Sequence, residues 1–358
     1  MIEAPTEWAA LAEKVLPQAR LVILVGAVDT GKTTIATYLA NGAWGYGYKT
    51  AVVDADVGQS DIGPPATVGL GVLQGPVEHL HDVPLADFYF VGAITPRGHI
   101  TATVVGTKKM VARAFAAGAA RVVVNTTGLI GRDFGRTLKY QKVALIQPDA
   151  IIGLQRHREL EPLLKTWEAA GFAVYRLPVA PGVRRRSYEM RVAFRERRWR
   201  EFFTGGRRLG LPLGSFSTAR TSLFTGEPLT AGEREEVEKL TGQHLFWVEK
   251  TADSAIVVTS HPLSREILAS VAQLLKVPRC LRIAPESFHG VVTGLLGWKG
   301  RSLSLGWVEK IDYDAGRLLL ITPYRGEEPV RVVEFGDVKL DAGIIFAEKG
   351  MENAAEPT

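Results

Sequence analysis

Residues 21–40 read LVILVGAVDTGKTTIATYLA, and this stretch predicts how the first half of the chain folds. The run LVILV has the length and branched side chains of a buried strand, and TTIATYLA favours a helix. Between them, Gly26–Thr33 matches the phosphate-loop pattern G-x-x-x-x-G-K-[ST]. In such a loop, backbone N–H groups and the helix N-terminus surround phosphate oxygens. The stretch therefore predicts a nucleotide-binding loop between a strand and a helix.

The loop residues have separate predicted tasks. Lys32 would reach the β- and γ-phosphates of ATP, and the Thr33 hydroxyl would ligate Mg²⁺. The predicted nucleotide-binding residues are Gly26, Val28, Asp29, Thr30, Gly31, Lys32, Thr33 and Thr34. GTPases, ATP-driven machines and kinases of small molecules or nucleic acids share this motif, so it leaves the phosphate acceptor open.

The rest of the chain divides by its pattern into three parts. Strand-like and helix-like runs alternate as far as about residue 180, which predicts an α/β fold, a P-loop NTPase with a parallel sheet flanked by helices. Short alternating runs after residue 286 predict a C-terminal, mainly β region. The predicted parts are a P-loop domain at 1–209 with a lid at about 184–205, an α+β or β-rich domain at 210–350, and a frayed tail at 351–358.

Composition narrows the class of protein. The chain has 358 residues, 46% hydrophobic and 23% charged, which is typical of a folded protein with more than one domain. The single cysteine, Cys280, rules out an internal disulfide and favours a reducing, cytoplasmic location. The apolar runs are far shorter than the roughly 20 residues of a membrane span, and the first residues lack the apolar core of a secretory signal.

Two carboxylates end the second predicted strand, in the sequence VVDADVGQ at residues 52–59. Alternation along a strand puts Asp54 and Asp56 on one face. A carboxylate beside the phosphate loop can hold the Mg²⁺ shell or accept a proton from an attacking hydroxyl. Gln59 could orient a water or a γ-phosphate oxygen. The alternative is an acidic strand end that only caps the following turn.

The predicted lid is strongly basic, with ten Arg and three Glu between residues 184 and 208. Treated as a helix over 184–203, it has a basic stripe of Arg184, Arg191, Arg195 and Arg198. The neighbouring stripe holds Tyr188, Val192, Trp199 and Phe203. Guanidinium groups neutralise charge on a transferring phosphoryl group, so this pattern favours a closing lid. A solvated basic helix is the alternative.

Two further loops follow predicted strands. Thr95-Pro96-Arg97 comes after FYFVGAI, where Arg97 or the neighbouring backbone could hold an acceptor phosphate. Thr126 and Thr127 follow the strand at 122–125, and their hydroxyls could touch Mg²⁺ or phosphate oxygens. The alternatives are an ordinary loop for the first and a helix cap for the second.

Taken together, these motifs resemble a known family, the polynucleotide 5′-hydroxyl kinases. The family includes the RNA kinase subunit of the eukaryotic pre-mRNA cleavage complex and the kinase of pre-ribosomal RNA processing. The resemblance rests on GAVDTGKTT (26–34), DADVGQSDIGPP (54–65), YFVGAITPRGH (89–99), VVVNTTGLIGRDFG (122–135), LIQPDAIIGLQ (145–155), the arginines of 184–200, and the C-terminal stretch 294–324.

The resemblance implies ATP- and Mg²⁺-dependent transfer of the γ-phosphate to the 5′-hydroxyl end of single-stranded RNA or DNA. It implies that Asp56 activates the hydroxyl and joins Thr33 at the metal, and that Gln59 arranges the γ-phosphate. The predicted catalytic residues are Lys32, Asp56, Gln59, Arg191 and Arg195, and the predicted substrate-binding residues are Thr95, Pro96, Arg97, Thr126, Thr127, Arg184 and Arg198.

The sequence departs from the family at Leu129, where many members have a Trp that stacks on the terminal base. Base stacking should therefore be weaker here or supplied elsewhere. Only about 20 residues precede the first strand, as expected for a minimal, prokaryote-type member. Two other functions stay open at this point: a nucleotide switch or scaffold without kinase activity, and a small-molecule kinase.

Overall fold

The computed structural model describes residues 5–346, apart from the side chain of Arg132, and the predicted tail at 351–358 lies outside the described residues. Two compact units divide the chain, Met1–Phe202 and Phe203–Thr358. The boundary predicted from sequence, after residue 209, is about seven residues too late. A strand at Arg207–Pro212 pairs with Arg317–Thr322 and therefore belongs to the second unit.

Helices and strands alternate through the first unit. Its helices are α1 (Thr6–Val15), α2 (Lys32–Gly45), α3 (Ile100–Ala116), α4 (Arg132–Ile146), α5 (Glu161–Ala169) and α6 (Tyr188–Phe203, which ends at the boundary). Its strands are β1 (Leu21–Gly26), β2 (Thr50–Ala55), β3 (Thr67–Val72), β4 (Leu85–Phe90), β5 (Arg121–Thr126), β6 (Ala150–Gln155) and β7 (Val174–Pro178). This alternation confirms the predicted α/β fold with helices flanking the sheet.

Within the described residues these strands form one sheet in the order β4-β3-β2-β5-β1-β6-β7. From β2 to β7 the neighbours are parallel, whereas β3 is antiparallel to both β2 and β4. The sequence reading missed β3, because its Gly69 and Gly71 weaken any strand pattern. The structure explains Gly69: a Cβ there would overlap the carbonyl of Ile62.

Apolar side chains fill both faces of the sheet. Along the buried strand β1, Val22 and Leu24 belong to the core under α1 and α2, and Ile23 and Val25 to the core under α3, α4 and α5. A strand buried on both faces reads as a continuous apolar run, which is why LVILV was recognisable from sequence. Because helices cover both faces of the sheet, the carboxyl ends of the parallel strands are the part of the sheet that a ligand can reach.

The helix-like runs of the sequence include one that starts at Thr107, but helix α3 begins seven residues earlier, at Ile100. Its first half, ITATVVG, is β-branched and ends in glycine, so intrinsic propensity disfavours a helix there. The hydroxyls of Thr103 and Thr107 donate to the carbonyls of His99 and Thr103, four residues back. Gly106 lies against Tyr89, and an added Cβ would come within 2.5 Å of the ring. Tertiary packing therefore overrides propensity in this segment.

The predicted lid helix is shorter than expected. It begins at Tyr188, so Arg184 lies in the preceding loop and not on the basic stripe. In the neighbouring stripe Trp199 and Phe203 are buried as predicted, but Tyr188 is 75% exposed. The buried apolar side chains of this stripe are therefore confined to the second half of the helix.

Two sheets and further helices make up the second unit. The first sheet has the order β8-β16-β15-β14-β17-β9 and the second the order β10-β11-β12-β13. The strands are β8 (Arg207–Pro212), β9 (Ser217–Ala219), β10 (Glu227–Pro228), β11 (Trp247–Lys250), β12 (Ala255–Val258), β13 (Cys280–Ile283), β14 (Val291–Leu296), β15 (Ser302–Asp312), β16 (Arg317–Thr322) and β17 (Val332–Lys339). The helices are α7 (Ala231–Thr241), α8 (Arg265–Leu274) and α9 (Ala342–Ile345).

The β-rich character of this unit confirms the prediction from sequence. The amphipathic pattern of residues 260–277 predicts one helix, and α8 lies within that range. Most strand pairs are antiparallel, but β12 with β13 and β17 with β9 are parallel. Across residues 5–346, no helix combines the length and the apolar character that a membrane span requires.

Candidate nucleotide and acceptor site

A cavity of about 1420 Å³ opens at the carboxyl ends of β1, β2 and β5. It brings together most of the site residues predicted from sequence. Those that line it are Val28, Asp29, Thr30, Gly31, Lys32, Thr33, Thr34, Asp56, Gln59, Thr95, Pro96, Arg97, Thr126, Thr127, Arg184, Arg191 and Arg195, together with Leu129. Gly26 and Arg198 do not line it. The volume exceeds the range of about 300–1,000 Å³ typical of a site for one small ligand.

The phosphate loop curls as the motif requires. Gly31 begins helix α2 with a left-handed φ of 82°, a conformation that glycine adopts without strain. Gly26 has a different role from the one predicted. A Cβ at this position would lie 2.6 Å from Thr30 Oγ1 and 2.9 Å from the carbonyl oxygen of Leu154. Gly26 therefore allows the loop to pack against β6 and does not face the cavity.

Lys32 is buried at the base of the loop. Its Nζ donates to the carbonyl oxygen of Ala27 at 2.5 Å and to Thr30 Oγ1 at 3.3 Å. Burial lowers the pKa of Lys32 to about 8, although the carboxylates of Asp56 and Asp29 act in the opposite direction. A triphosphate in the loop would add negative charge next to this ammonium group and favour its charged form.

The two aspartates at the end of β2 differ in burial and in hydrogen bonding. Asp54 is fully buried. Its Oδ2 accepts from the backbone N–H groups of Asp61 and Ile62 at 2.6 and 3.2 Å, and its Oδ1 accepts from the N–H of Asp56 at 3.1 Å. Burial, with the nearby carboxylates of Asp61 and Asp56, raises the pKa of Asp54 to about 8. Asp54 therefore organises the loop at 56–62 from beneath.

Asp56 is the carboxylate that faces the cavity. Its Oδ1 accepts from the N–H groups of Gly58 and Gln59, both at 3.2 Å. These bonds fix the orientation of the carboxylate in the turn that follows β2. A half-buried carboxylate with a fixed orientation next to a phosphate loop can accept a proton or contribute to a cation site.

Asn125, at the end of β5, links the two halves of the site. Its Nδ2 donates to Asp54 Oδ1 at 3.1 Å and lies 3.5 Å from Thr33 Oγ1. Its Oδ1 is buried and has no hydrogen-bond partner among the described residues, and neither does Gln59 Oε1. Asn125 ends the strand predicted at 122–125, whereas the site residues predicted there are Thr126 and Thr127, the two that follow it.

Those hydroxyls have different surroundings. Thr126 Oγ1 donates to the carbonyl of Leu24 at 2.7 Å and accepts from Lys139 Nζ at 2.6 Å, so it is engaged within the protein. Thr127 lies in the wall of the cavity. On the same wall, Pro96 is buried while Thr95 and Arg97 are exposed. The Arg97 guanidinium has no hydrogen-bond partner within residues 5–346, as a group awaiting an anion would.

The arginines of α6 do not form one uniform row. Arg191 donates to Asp29 Oδ2 at 2.6 Å, and Gln59 Nε2 donates to the Arg191 carbonyl at 3.2 Å. Arg195 lines the cavity and has neither a hydrogen bond nor an ion pair in the described part of the chain. Arg198 turns away and donates to the carbonyls of Asp61 and Gly63. In this structure Arg198 braces a loop, whereas the sequence placed it among the substrate-binding residues.

Sequence reasoning missed several charged residues around the site. Arg156 donates to the carbonyl of Asp29, and Arg185 and Arg186 line the cavity. Lys139 and Lys142 on α4 are completely buried. Lysines three residues apart on a helix normally indicate a solvated face, so the sequence carried no signal of their burial.

The two buried lysines reach different strand ends. Lys139 Nζ donates to Thr126 Oγ1 and, at 2.5 Å, to the carbonyl of Thr127 after β5, and Lys142 Nζ lies 3.4 Å from the carbonyl of Ala55 at the end of β2. Burial lowers the pKa of Lys142 to about 8, opposed by the carboxylates of Asp56 and Asp54. Burial also places the pKa of Lys139 well below its usual value. Helix α4 therefore places two buried amino groups beneath the ends of β5 and β2, and burial disfavours the charged form of both.

A phosphate loop on a doubly flanked sheet, with an arginine helix beside it, defines a P-loop nucleotide-binding protein of the kinase type. Comparison with known sequences gives the family. Residues 26–205 match the family described as mRNA cleavage and polyadenylation factor CLP1 P-loop, and the chain belongs to that family. This confirms the resemblance drawn from the motifs.

Curated relatives match over most of the chain. The polyribonucleotide 5′-hydroxyl-kinase of Thermococcus kodakarensis is 33% identical over 327 residues, which cover 89% of this chain and 88% of the relative. The polyribonucleotide 5′-hydroxyl-kinase of Methanocaldococcus jannaschii is 31% identical over 322 residues, covering 89% and 87%. The names of these relatives do not favour the switch or scaffold interpretation.

A solved structure supports the same fold. The Clp1p chain of the wild-type Clp1p–Pcf11p complex superposes with a TM-score of 0.60 at 11% identity, covering 93% of this chain and 79% of that one. At this identity the likeness concerns the fold alone.

Proposed function

We propose that this protein transfers the γ-phosphate of ATP to the 5′-hydroxyl end of RNA, and that DNA is a second acceptor. The observation that carries the proposal is the composition of the cavity at the carboxyl ends of β1, β2 and β5. Lys32 and Thr33 lie in its phosphate loop, and the carboxylate of Asp56 lines it. Arg97 and Arg195 offer guanidinium groups that have no hydrogen-bond partner among the described residues. The names of the archaeal relatives support RNA as the acceptor.

The reaction follows from the roles these residues can fill. The 5′-oxygen attacks the γ-phosphorus in line, a new oxygen–phosphorus bond forms, and the bond from the γ-phosphorus to the β–γ bridging oxygen breaks to release ADP. The Asp56 carboxylate takes the proton from the attacking hydroxyl. Lys32, Arg191 and Arg195 compensate the negative charge of the transferring group, and most of the acceleration comes from positioning and electrostatics.

The residues present are compatible with Mg²⁺. The Thr33 hydroxyl and Asp56 would hold it, and the buried, unpartnered Oδ1 of Asn125 adds a neutral oxygen nearby. The described residues include no group of three or more His, Cys, Asp or Glu side chains suited to a metal. A magnesium ion needs only one or two protein ligands when phosphate oxygens and waters complete its shell. Bound there, it would neutralise charge on the β- and γ-phosphates.

On the acceptor side, Arg97 and Thr127 border the same cavity and can bind the phosphate next to the terminal nucleotide. Recognition through backbone phosphates tolerates sequence variation and weakens as salt rises. We therefore expect little preference among terminal bases, since Leu129 offers no aromatic ring at the cavity wall.

The test is a transfer assay with labelled ATP and an RNA oligonucleotide that carries a 5′-hydroxyl. The same RNA with a 5′-phosphate is the control acceptor and should stay unlabelled, and a matched DNA tests the second acceptor. Asp56→Asn should keep ATP binding and lose transfer, whereas the exposed Asp253→Asn should behave as wild type. Full activity of Asp56→Asn would refute the assigned proton acceptor, and hydrolysis of ATP without labelling of any acceptor would refute the kinase itself.

A further inference from the structure

Among the large hydrophobic side chains of the described residues, Trp298 is one of the most exposed, at 62%. It lies in the second unit, in the short turn at 297–301 that joins β14 to β15. An indole ring left in water loses the free energy that its burial would provide, and Trp is enriched where proteins bind partners. The turn contributes nothing to the cavity described above.

The turn that presents Trp298 is rigid. The N–H of Gly297 donates to the carbonyl of Arg301 at 2.9 Å across its base. The Glu328 carboxylate accepts from the backbone N–H of Trp298 at 2.6 Å through one oxygen and from the Arg301 guanidinium through the other. Gly297 permits this clamp, because a Cβ there would overlap the same carboxylate. The ring is therefore presented by a fixed backbone.

Positive charge surrounds the ring. The Arg331 guanidinium carbon lies 5.6 Å from the ring centroid, in cation–π geometry. Lys299 is exposed and its ammonium group has no partner within residues 5–346. Arg301 and Arg331 act on the Glu328 carboxylate, and Lys299 adds a third positive charge to the segment. In the loop that carries Glu328, the negative charge of the exposed Glu327 is balanced by the positive charge of Arg325.

We infer that the exposed ring of Trp298, flanked by Lys299 and Arg331, stacks on a base of the single-stranded RNA other than the base of the nucleotide that carries the 5′-hydroxyl. Proteins that bind single strands combine aromatic rings, on which bases stack, with cations that follow the backbone phosphates. An apolar protein partner would have to remove water from Lys299 and Arg331 without compensation. The inference rests on the proposed function for its substrate class.

The experiment compares Trp298→Ala with wild type on acceptors of different length. We expect the Kd of an RNA of about 20 nucleotides to rise about tenfold. We also expect kcat, and the KM for a trinucleotide acceptor, to stay unchanged. Trp298→Phe keeps an aromatic face and should recover most of the affinity. Unchanged affinity of Trp298→Ala for the long RNA would overturn the inference. The same result is expected if the turn binds a protein and not RNA.

Two controls sharpen the result. Tyr46→Ala removes an aromatic ring that is 51% exposed in the first unit and should not alter RNA affinity. Lys299→Ala with Arg331→Ala should lower the salt dependence of binding by about one to two released counterions. Because Kd is measured directly, wild type that binds RNA but transfers no phosphate contradicts the proposed function, whereas equal binding by Trp298→Ala contradicts this inference alone.

Discussion

Arg191 of α6 donates to Asp29 of the phosphate loop at 2.6 Å, and this ion pair joins the lid to the nucleotide site. The backbone N–H of Arg186 reaches the same carboxylate oxygen at 3.2 Å. The carboxylate of Asp29 thus pairs with Arg191, whose guanidinium group binds phosphate in the proposed reaction. The Asp29 carboxylate and an incoming triphosphate therefore compete for the same guanidinium group.

Asp29→Asn should therefore tighten ATP binding. The substitution removes the competing charge, and asparagine tolerates the left-handed φ of 55° found at this position. Since the ion pair is partly exposed, we expect a gain of about 1 kcal/mol, or about fivefold in Kd. Titration calorimetry with a non-hydrolysable ATP analogue measures it, and an unchanged or weaker affinity contradicts the prediction.

Asp54→Asn should destabilise the protein more than Asp56→Asn does. Both oxygens of Asp54 accept hydrogen bonds from N–H donors, so an amide NH₂ group in its place would face a donor in a buried site. We expect a loss of about 2 kcal/mol in the free energy of unfolding for Asp54→Asn and less than about 1 kcal/mol for Asp56→Asn. Urea unfolding of both variants above pH 8, where the Asp54 carboxyl is ionised and both of its oxygens are acceptors, compares them, and equal losses would show that Asp54 does not organise the loop.

Substitution of Arg195 should lower activity, whereas substitution of Arg198 should lower stability. Arg195→Ala removes a guanidinium that only lines the cavity, so we expect kcat to fall about 10²-fold while Tm is unchanged. Arg198→Ala removes the donor to the carbonyls of Asp61 and Gly63, so Tm should fall. Steady-state kinetics and thermal melts on both variants test this. A normal kcat for Arg195→Ala would exclude it from the transition state.

Lys142 should make stability depend on pH. Its pKa is 10.5 in the unfolded chain and about 8 in the fold. Between those values the unfolded chain binds the extra proton, so the stability contributed by this site rises with pH. The quantity to compare is the free energy of unfolding of Lys142→Met minus that of wild type. This difference should fall by about 3 kcal/mol as the pH rises from below 8 to above 10.5.

Denaturant titrations across that pH range measure the difference. Lys108 is exposed on α3, and Lys108→Met is the matched control, expected to run parallel to wild type. A flat difference for Lys142→Met would mean that the buried ammonium keeps its proton through the charges of Asp54 and Asp56.

Sequence reasoning succeeded where the information lies in consecutive residues. The phosphate loop, the buried strand before it and the acidic end of β2 were each recognisable because local spacing determines which atoms can meet. The same reasoning failed for β3 and for the first half of α3. There, Gly69 is required by the carbonyl of Ile62 and Gly106 by the ring of Tyr89, residues on other segments whose approach the periodicity of a single strand or helix does not record.

The candidate site divides in the same way. The sequence alone determined that Lys32, Thr33 and Asp56 share one edge of a parallel sheet, because strand direction and loop length leave no other arrangement. Only the tertiary structure decided that Asp54 is sealed beneath its neighbour, that Arg195 and not Arg198 faces the cavity, and that α4 buries two lysines under the site. Burial and partner choice depend on how separate elements pack, and the free energies of charged groups follow from that packing.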